Sequence, residues 1–146
     1  MTNGVYILTT ALDGRINGMI ASWVSQVSYE PPLIAVAVHE NRFSHGLVRE
    51  SGLFALHVMG RQHKMIVSRF MTSDPEAKFS GIDWQPGQTG CPILEDCVAC
   101  FECRVKTSIQ PGNHMVFFGE VVNAMMISDA EPLTTRDYHG QYIGKA

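Results

Sequence analysis

Two long β-type segments near the C-terminal end of the chain constrain its fold most strongly. They cover residues 98–109 and 115–127 and stand on either side of the turn-forming triplet Pro111, Gly112 and Asn113. This arrangement predicts an antiparallel hairpin. In its first half, apolar residues 101, 103 and 105 alternate with charged residues 102, 104 and 106, the period of a half-buried strand. Long strands joined in this way favour a closed or nearly closed antiparallel barrel.

The rest of the chain supplies shorter elements. Strands are predicted over 4–10, 19–28 (partly a loop), 33–39 and 53–59, with 33–39 buried on both faces because its apolar run is nearly continuous. A first helix begins at Asn41 or Ser44 as N-cap and ends near Ser51 and Gly52. A second helix covers 62–71, and 73–92 is predicted to be a long surface loop. No βαβ rhythm is present, and 146 residues suit a single domain over 1–146.

Charge and hydropathy exclude some classes of partner. The 11 Lys and Arg and 14 Asp and Glu give a net charge of −3, which provides little attraction for nucleic acid. The longest apolar run covers only 33–38, against the roughly 18 residues that span a bilayer. The first residues lack the basic region of a signal peptide, so we expect a cytoplasmic protein without a membrane partner.

The spacing of the four cysteines allows two interpretations, a metal site or structural thiols. Cys91, Cys97, Cys100 and Cys103 contain overlapping C-x-x-C spacings, as zinc and iron–sulfur sites do. Alternation along the strand opposes a metal site, since Cys97 and Cys103 would share a face roughly 20 Å apart while Cys100 points to the other face. We therefore expect structural thiols and no metal site.

Two groups of residues have the chemistry of a ligand site. Arg42, Ser44 and His45 lie at the predicted start of the first helix, where free amide groups suit an anion, although an ordinary N-cap beside a solvated arginine explains the pattern equally well. The uncharged run of small residues would let a flat ligand approach the backbone, or would form a tight barrel corner; it comprises Asn17, Gly18, Met19, Ile20, Ala21, Ser22 and Trp23.

Among the six histidines, position alone singles out two. His45 and His114 follow a cap or a turn at an element boundary, where functional groups are often placed. His57 lies in the middle of a predicted strand and is expected to be a structural residue with satisfied hydrogen bonds.

Taken together, these segments resemble the flavin reductase-like family, which binds FMN in a split β-barrel. The resemblance rests on residues 14–23, 27–28 and 31–34, on 41–45 and 51–54, and on the hairpin segments 101–105 and 111–114. Within the family, the chain is most similar to the flavin domains of flavoredoxin and of high-molecular-weight rubredoxin. Residues 138–146 resemble the segment that leads into the rubredoxin module.

The resemblance implies a mainly β, antiparallel, Greek-key-like split barrel with two or three short helices. It also implies a homodimer that binds FMN, with FAD less favoured, near the subunit interface. Residues 17–23 would face the isoalloxazine ring, and Arg42, Ser44 and His45 would lie near the phosphate. His114 would be the catalytic residue that places the nicotinamide of NADH or NADPH.

The implied activity is that of an oxidoreductase. It would take a hydride from NAD(P)H and pass electrons to a free flavin, a rubredoxin or a similar acceptor. Family members that use nicotinamide often carry Gly-Asp-His at the hairpin, whereas this chain has Asn113 before His114. That departure favours the alternative of an FMN-binding electron carrier without its own nicotinamide site. A ligand-binding barrel without redox activity is a third hypothesis.

Overall fold

The computed structural model of the protein describes residues 1–138. Seven strands form one antiparallel sheet in the order β2-β1-β5-β8-β9-β4-β3, and a small β6–β7 hairpin lies apart from it. The strands are β1 Tyr6–Leu12, β2 Arg15–Ala21, β3 Val24–Ser28, β4 Leu33–His39, β5 Leu53–Val58, β6 Trp84–Pro86, β7 Pro92–Leu94, β8 Ala99–Ile109 and β9 His114–Met126. The α-helices are α1 Phe43–Ser51, α2 Lys64–Arg69 and α3 Pro75–Phe79.

The sheet curls into a barrel because its two edge strands are consecutive in the chain. β2 ends at Ala21 and β3 begins at Val24, so only two residues join opposite edges of the sheet. The Ala37 amide donates to the Trp23 carbonyl, which holds this corner against β4. The two edges do not pair with each other, so the barrel is split, as the resemblance to the family implied.

Two apolar clusters lie on the two faces of the sheet. The inner cluster fills the barrel and includes Leu8, Val36, Phe54 and Phe117. The outer cluster packs the other face against α2, α3 and the β6–β7 hairpin. Within residues 1–138, no helix is long and apolar enough to cross a membrane.

The long hairpin is confirmed, while three other predictions need correction. β4 is fully buried on the barrel face only, since its alternate residues are half-buried. Segment 73–92 is not a plain loop, because it contains α3 and β6 and ends at the first residue of β7. The N-cap of α1 is Arg42, without a side-chain capping bond. The backbone amide of Asn41 donates to the His39 Nδ1, and the Ser44 hydroxyl, within the first turn of α1, accepts from Asn17.

The cysteines are buried free thiols, but one of them is not where the alternation placed it. Cys97 precedes β8 in the turn after β7, where its Sγ donates to the Leu94 carbonyl. It packs with Cys91 and Cys100 in the outer cluster, whereas Cys103 faces the barrel interior. No three potential ligand side chains converge as a metal site among the described residues.

Candidate functional site

The beginning of α1 is joined to β2 by a buried polar contact. Asn17 and Ser44 are each only 1% exposed, and the Asn17 Nδ2 donates to the Ser44 Oγ at 3.0 Å. This bond fixes the Ser44 hydroxyl at the first turn of α1, where the helix dipole and unpaired amide groups favour an anion. Arg42 stands immediately before that turn as the N-cap.

Lys78 completes this group from α3. Its side chain is 6% exposed, and its Nζ donates to the Asn17 Oδ1 at 3.0 Å and to the Gly18 carbonyl at 2.8 Å. An ammonium group carries three N–H donors, so one remains for a further partner. None of the ion pairs found within residues 1–138 involves Lys78. The group of Lys78, Asn17, Ser44 and Arg42 is called the anion cluster below.

The electrostatics of the anion cluster favour a negatively charged group. Burial lowers the pKa of Lys78, and the positive charge of Arg42 lowers it further, while Asp74 opposes the shift. A buried cation without a carboxylate partner is unfavourable on its own. An anionic ligand would supply the missing countercharge.

Next to the anion cluster, β2 exposes an open backbone edge. The Gly18 carbonyl points away from β1, because it accepts from Lys78. Backbone groups of alternate residues in a strand point the same way, so the N–H and C=O of Ile20 face the same edge. β2 is the last strand of the sheet on that side. The edge can therefore pair with the donors and acceptors of a flat heterocycle.

The side chains of the small-residue run take different positions. Met19 and Ala21 belong to the barrel interior, and Ile20 packs against the outer cluster. A side chain at Gly18 would collide with the Phe70 ring, so its small size serves packing as well as the open edge. Ser22 is buried at the barrel corner.

Trp23 and His114 meet on the surface near the start of β9. Trp23 is 55% exposed, and its ring centroid lies 4.6 Å from that of His114. His39 contacts His114 edge-on at 4.9 Å. Burial lowers the pKa of His114, and the nearby His39 and Arg42 lower it further. Arg42 thus acts electrostatically on both Lys78 and His114, so the anion cluster and these three rings lie near each other.

His45 is oriented differently from its neighbours on α1. Its ring packs 5.9 Å from the Phe117 ring of the barrel interior. Its Nε2 is buried and has no hydrogen-bond partner within the described part of the chain. Burial lowers the pKa of His45, and Arg49 adds to the shift.

Lys78 is the site residue that the sequence prediction missed. Its segment was assigned to a surface loop, yet Asp74 followed by Pro75 is an N-cap and N1 pair that signals a helix start. The Asp74 carboxylate does accept from the Glu76 amide. Sequence could have located α3, but the burial of Lys78 depends on contacts with β2, about 60 residues away in the chain.

Comparison with known proteins identifies the class of this chain. Residues 1–144 match the family described as "Flavin reductase like domain". Among curated relatives, the chain is 37% identical to a ferric-chelate reductase (NAD(P)H) of Archaeoglobus fulgidus, covering 97% of this chain and 86% of that protein. It is 31% identical to the high molecular weight rubredoxin of Moorella thermoacetica, covering 95% of this chain and 62% of that protein.

Solved structures agree with this assignment. An FMN-binding protein from Thermus thermophilus superposes with a TM-score of 0.80 at 26% identity, covering 87% of this chain and 72% of that one. The NADH:FAD oxidoreductase SgcE6 of Streptomyces globisporus gives 0.86 at 26% identity, covering 92% and 81%. The chain therefore belongs to the flavin reductase like domain family, and it is an enzyme of the flavin reductase class.

The residues present fit a flavin. The anion cluster offers a phosphate a spare buried N–H, on a lysine whose two hydrogen-bond acceptors are both uncharged. The open edge of β2 offers backbone groups for a ring edge, and Trp23 offers an exposed aromatic face.

Proposed function

We propose that this protein is an NAD(P)H-dependent reductase that binds FMN and passes electrons to a free flavin, a rubredoxin or a similar acceptor. The observation that supports this most strongly is Lys78, a buried cation whose neighbours use two of its three donors and supply no carboxylate. Such a group is stable in a folded protein only if something compensates its charge. The phosphate of FMN would do so.

The phosphate would be held from three directions. Lys78 provides its remaining N–H from α3, Arg42 a guanidinium at the N-cap of α1, and Ser44 a hydroxyl positioned by Asn17. Charge-assisted hydrogen bonds of this kind are about twice as strong as neutral ones. Because Lys78 is buried, the cluster suits the terminal phosphate of FMN, and FAD is the less favoured cofactor.

The ring of the flavin would lie along the open edge of β2. Ile20 and Gly18 present backbone groups there, and backbone donors near a ring carbonyl stabilise the reduced, more anionic form. When bound, the flavin supplies the redox chemistry: it accepts a hydride from the dihydronicotinamide and releases electrons to the acceptor. The protein's contribution is to orient the ring and to exclude competing reactions.

The role we assign to His114 is placement of the nicotinamide. Its ring lies beside the exposed face of Trp23, and its lowered pKa favours the neutral imidazole. Hydride transfer requires alignment of two rings rather than a proton donor, so a neutral positioning group is sufficient. His45, whose Nε2 points into a buried region without a partner, is the less direct contact of the two histidines.

We propose that two copies form the active molecule. At the end of the barrel away from α1, an apolar cavity of about 500 Å³ opens between β1, β3, β5, β8 and β9. Large apolar side chains are exposed on β3 and the turn after it, and in the second half of β9 and directly after it: Val27, Tyr29, Val122, Met126 and Ile127. A hydrogen bond from the Val121 amide to the Pro32 carbonyl brings the two regions together. Association would cover this surface, and sedimentation of the purified protein measures it.

Anaerobic spectroscopy tests the function. The protein loaded with FMN should lose its flavin absorbance on addition of NADH or NADPH, faster than FMN alone with the same dinucleotide. An electron carrier without a nicotinamide site would bind FMN and be bleached by dithionite, but not by either dinucleotide. A protein that gains no flavin spectrum with FMN would contradict both functions.

A further inference from the structure

Two neighbouring histidines hold their protons on opposite ring nitrogens. His39 accepts a hydrogen bond at Nδ1 from the Asn41 amide at 3.1 Å, so its neutral form carries the proton on Nε2. His114 lies 2.7 Å from the Asn113 Oδ1 through its own Nδ1. A carboxamide oxygen only accepts, so His114 carries its proton on Nδ1 and leaves Nε2 as an acceptor.

The two rings are close enough to act on one small group. Their centroids are 4.9 Å apart and nearly perpendicular, and both side chains are half-buried beside the exposed ring of Trp23. The pair therefore offers one N–H donor and one nitrogen acceptor next to an aromatic surface. Each tautomer is set by a local partner, the Asn41 backbone for His39 and the Asn113 side chain for His114.

We propose that His39 and His114 together recognise the primary carboxamide of the nicotinamide ring. Asn113 is the positioning residue, because its bond to Nδ1 keeps the His114 Nε2 unprotonated and able to accept from the carboxamide N–H. The inference rests on the proposed function. A carboxamide has one C=O to accept from His39 and an N–H to donate to His114. A carboxylate in its place has no N–H, which leaves the His114 acceptor without a partner.

Protonation would abolish this recognition. A proton added to His114 goes to Nε2 and converts the acceptor into a donor. The titratable and charged groups that face His114 are His39 on β4 and Arg42 before α1, and both disfavour this proton. Glu40, also after β4, is engaged by the Gln110 side chain. Selection for the carboxamide should therefore persist at neutral pH and decline in acid.

The test compares two reduced dinucleotides, NADH and its nicotinic acid analogue, which carries a carboxylate. At pH 8 the FMN-loaded wild-type protein should have a kcat/KM at least about tenfold higher for NADH, the value of one hydrogen bond. Asn113→Ala should bring the ratio of the two kcat/KM values closer to one, mainly by raising KM for NADH. Asn113→Asp should keep the ratio at pH 8 and lose it at a higher pH than wild type, since the carboxylate favours the imidazolium. Gln62→Glu, an equal charge change at an exposed site, should behave as wild type.

Nitrogen-15 NMR of the same proteins gives a readout independent of activity. His114 should show the proton on Nδ1 and His39 on Nε2, with His114 becoming a mixture of tautomers in Asn113→Ala. Equal use of both dinucleotides, or other tautomers, would overturn this inference and leave the proposed function standing. If neither dinucleotide reduces the bound flavin, the proposed function fails and the inference fails with it.

Discussion

Buried polar side chains on the outer face of the sheet differ from those beside α1. On the outer face, the His57 Nδ1 donates to the Ile7 carbonyl at 3.0 Å, and its Nε2 accepts from the Leu94 amide at 3.1 Å. Glu102 accepts from the Thr89 amide, the Thr89 hydroxyl and the Asn123 amide at 2.7–2.9 Å. These groups are 0% and 1% exposed, and their bonding capacity is used within the protein.

Beside α1, other buried polar groups retain unused hydrogen-bonding capacity. Lys78 has an unused N–H and no carboxylate partner, and His45 has an unpaired Nε2. An unsatisfied buried group destabilises the fold, so a protein keeps one where it has another use. Buried groups whose hydrogen bonds are all made are therefore assigned a structural role, and those with unused capacity are assigned to the candidate site. Substitutions of the first kind should change stability, and substitutions in the site should change ligand binding.

The largest effect is expected for Glu102→Ala. Burial raises the pKa of this carboxyl, but the hydrogen bonds from Asn123 and Thr89 outweigh burial and hold the pKa below its usual value. The substitution leaves three part-buried donors without their carboxylate partner, which should lower the free energy of unfolding by about 3–5 kcal/mol. Urea unfolding measures it, with the exposed Glu95→Ala as the control. FMN affinity of the folded fraction should not change; a selective loss of affinity would place Glu102 in the site.

His57 should make stability depend on pH. Burial lowers its pKa from 6.5 to about 4. His57 therefore binds a proton near pH 6.5 in the unfolded chain, but only near pH 4 in the folded protein. Stability is complete above pH 6.5 and should fall by about 3 kcal/mol as the pH drops to about 4.

Urea unfolding at a series of pH values measures this slope. His57→Gln lacks the titrating group and should lose this component of the slope. An unchanged slope in His57→Gln would assign the pH dependence to other residues.

Arg42→Ala should affect the ligand rather than the fold. We expect FMN binding to weaken by about 1.5–3 kcal/mol, or about ten- to a hundredfold, the range for a charge-assisted hydrogen bond. Riboflavin, which lacks the phosphate, should be affected much less. Arg49→Ala, in the last turn of the same helix, is the matched control. Equal losses for FMN and riboflavin would mean that Arg42 does not contact the phosphate.

The smallest effect is expected for His45→Leu. Removing the orphaned Nε2 should stabilise the flavin-free protein by about 1 kcal/mol, because a buried polar atom without a partner is lost. Thermal unfolding without and with FMN measures the change. A variant that is less stable without FMN would show that the His45 Nε2 has a hydrogen-bond partner in solution, and would assign His45 a structural role.

The sequence predicted the barrel well because its signal is local. Alternation along β8 and the turn at residues 111–113 are visible in neighbouring residues, as are the strands and the position of His57. The N-cap of α1 was missed because Asn41 and Ser44 are both good capping residues by type, whereas the position falls on Arg42, which makes no side-chain capping bond. The Ser44 hydroxyl accepts from Asn17 instead. Cys97 was misplaced because β8 begins only at Ala99, so Cys97 lies in the preceding turn, where the alternation of a strand does not apply.

The site was predicted only in part, for a related reason. Arg42, Ser44 and Asn17 were selected by residue type and by resemblance, and the structure brings them together around Lys78. Lys78 itself has no local signal of burial, since the contacts that enclose it come from a distant strand. The burial and the contacts of such a polar residue become visible only in the tertiary structure.

Titration of FMN and riboflavin into Lys78→Met tests the central claim most directly. Methionine keeps the unbranched side chain as far as Cε and removes the terminal Nζ with its buried charge. We predict that FMN binds about ten- to a hundredfold more weakly than to wild type, while riboflavin affinity is nearly unchanged. Lys64→Met, at an exposed lysine, should match wild type for both ligands. FMN affinity that survives in Lys78→Met, or falls equally for riboflavin, would contradict the assignment of the anion cluster to the flavin phosphate.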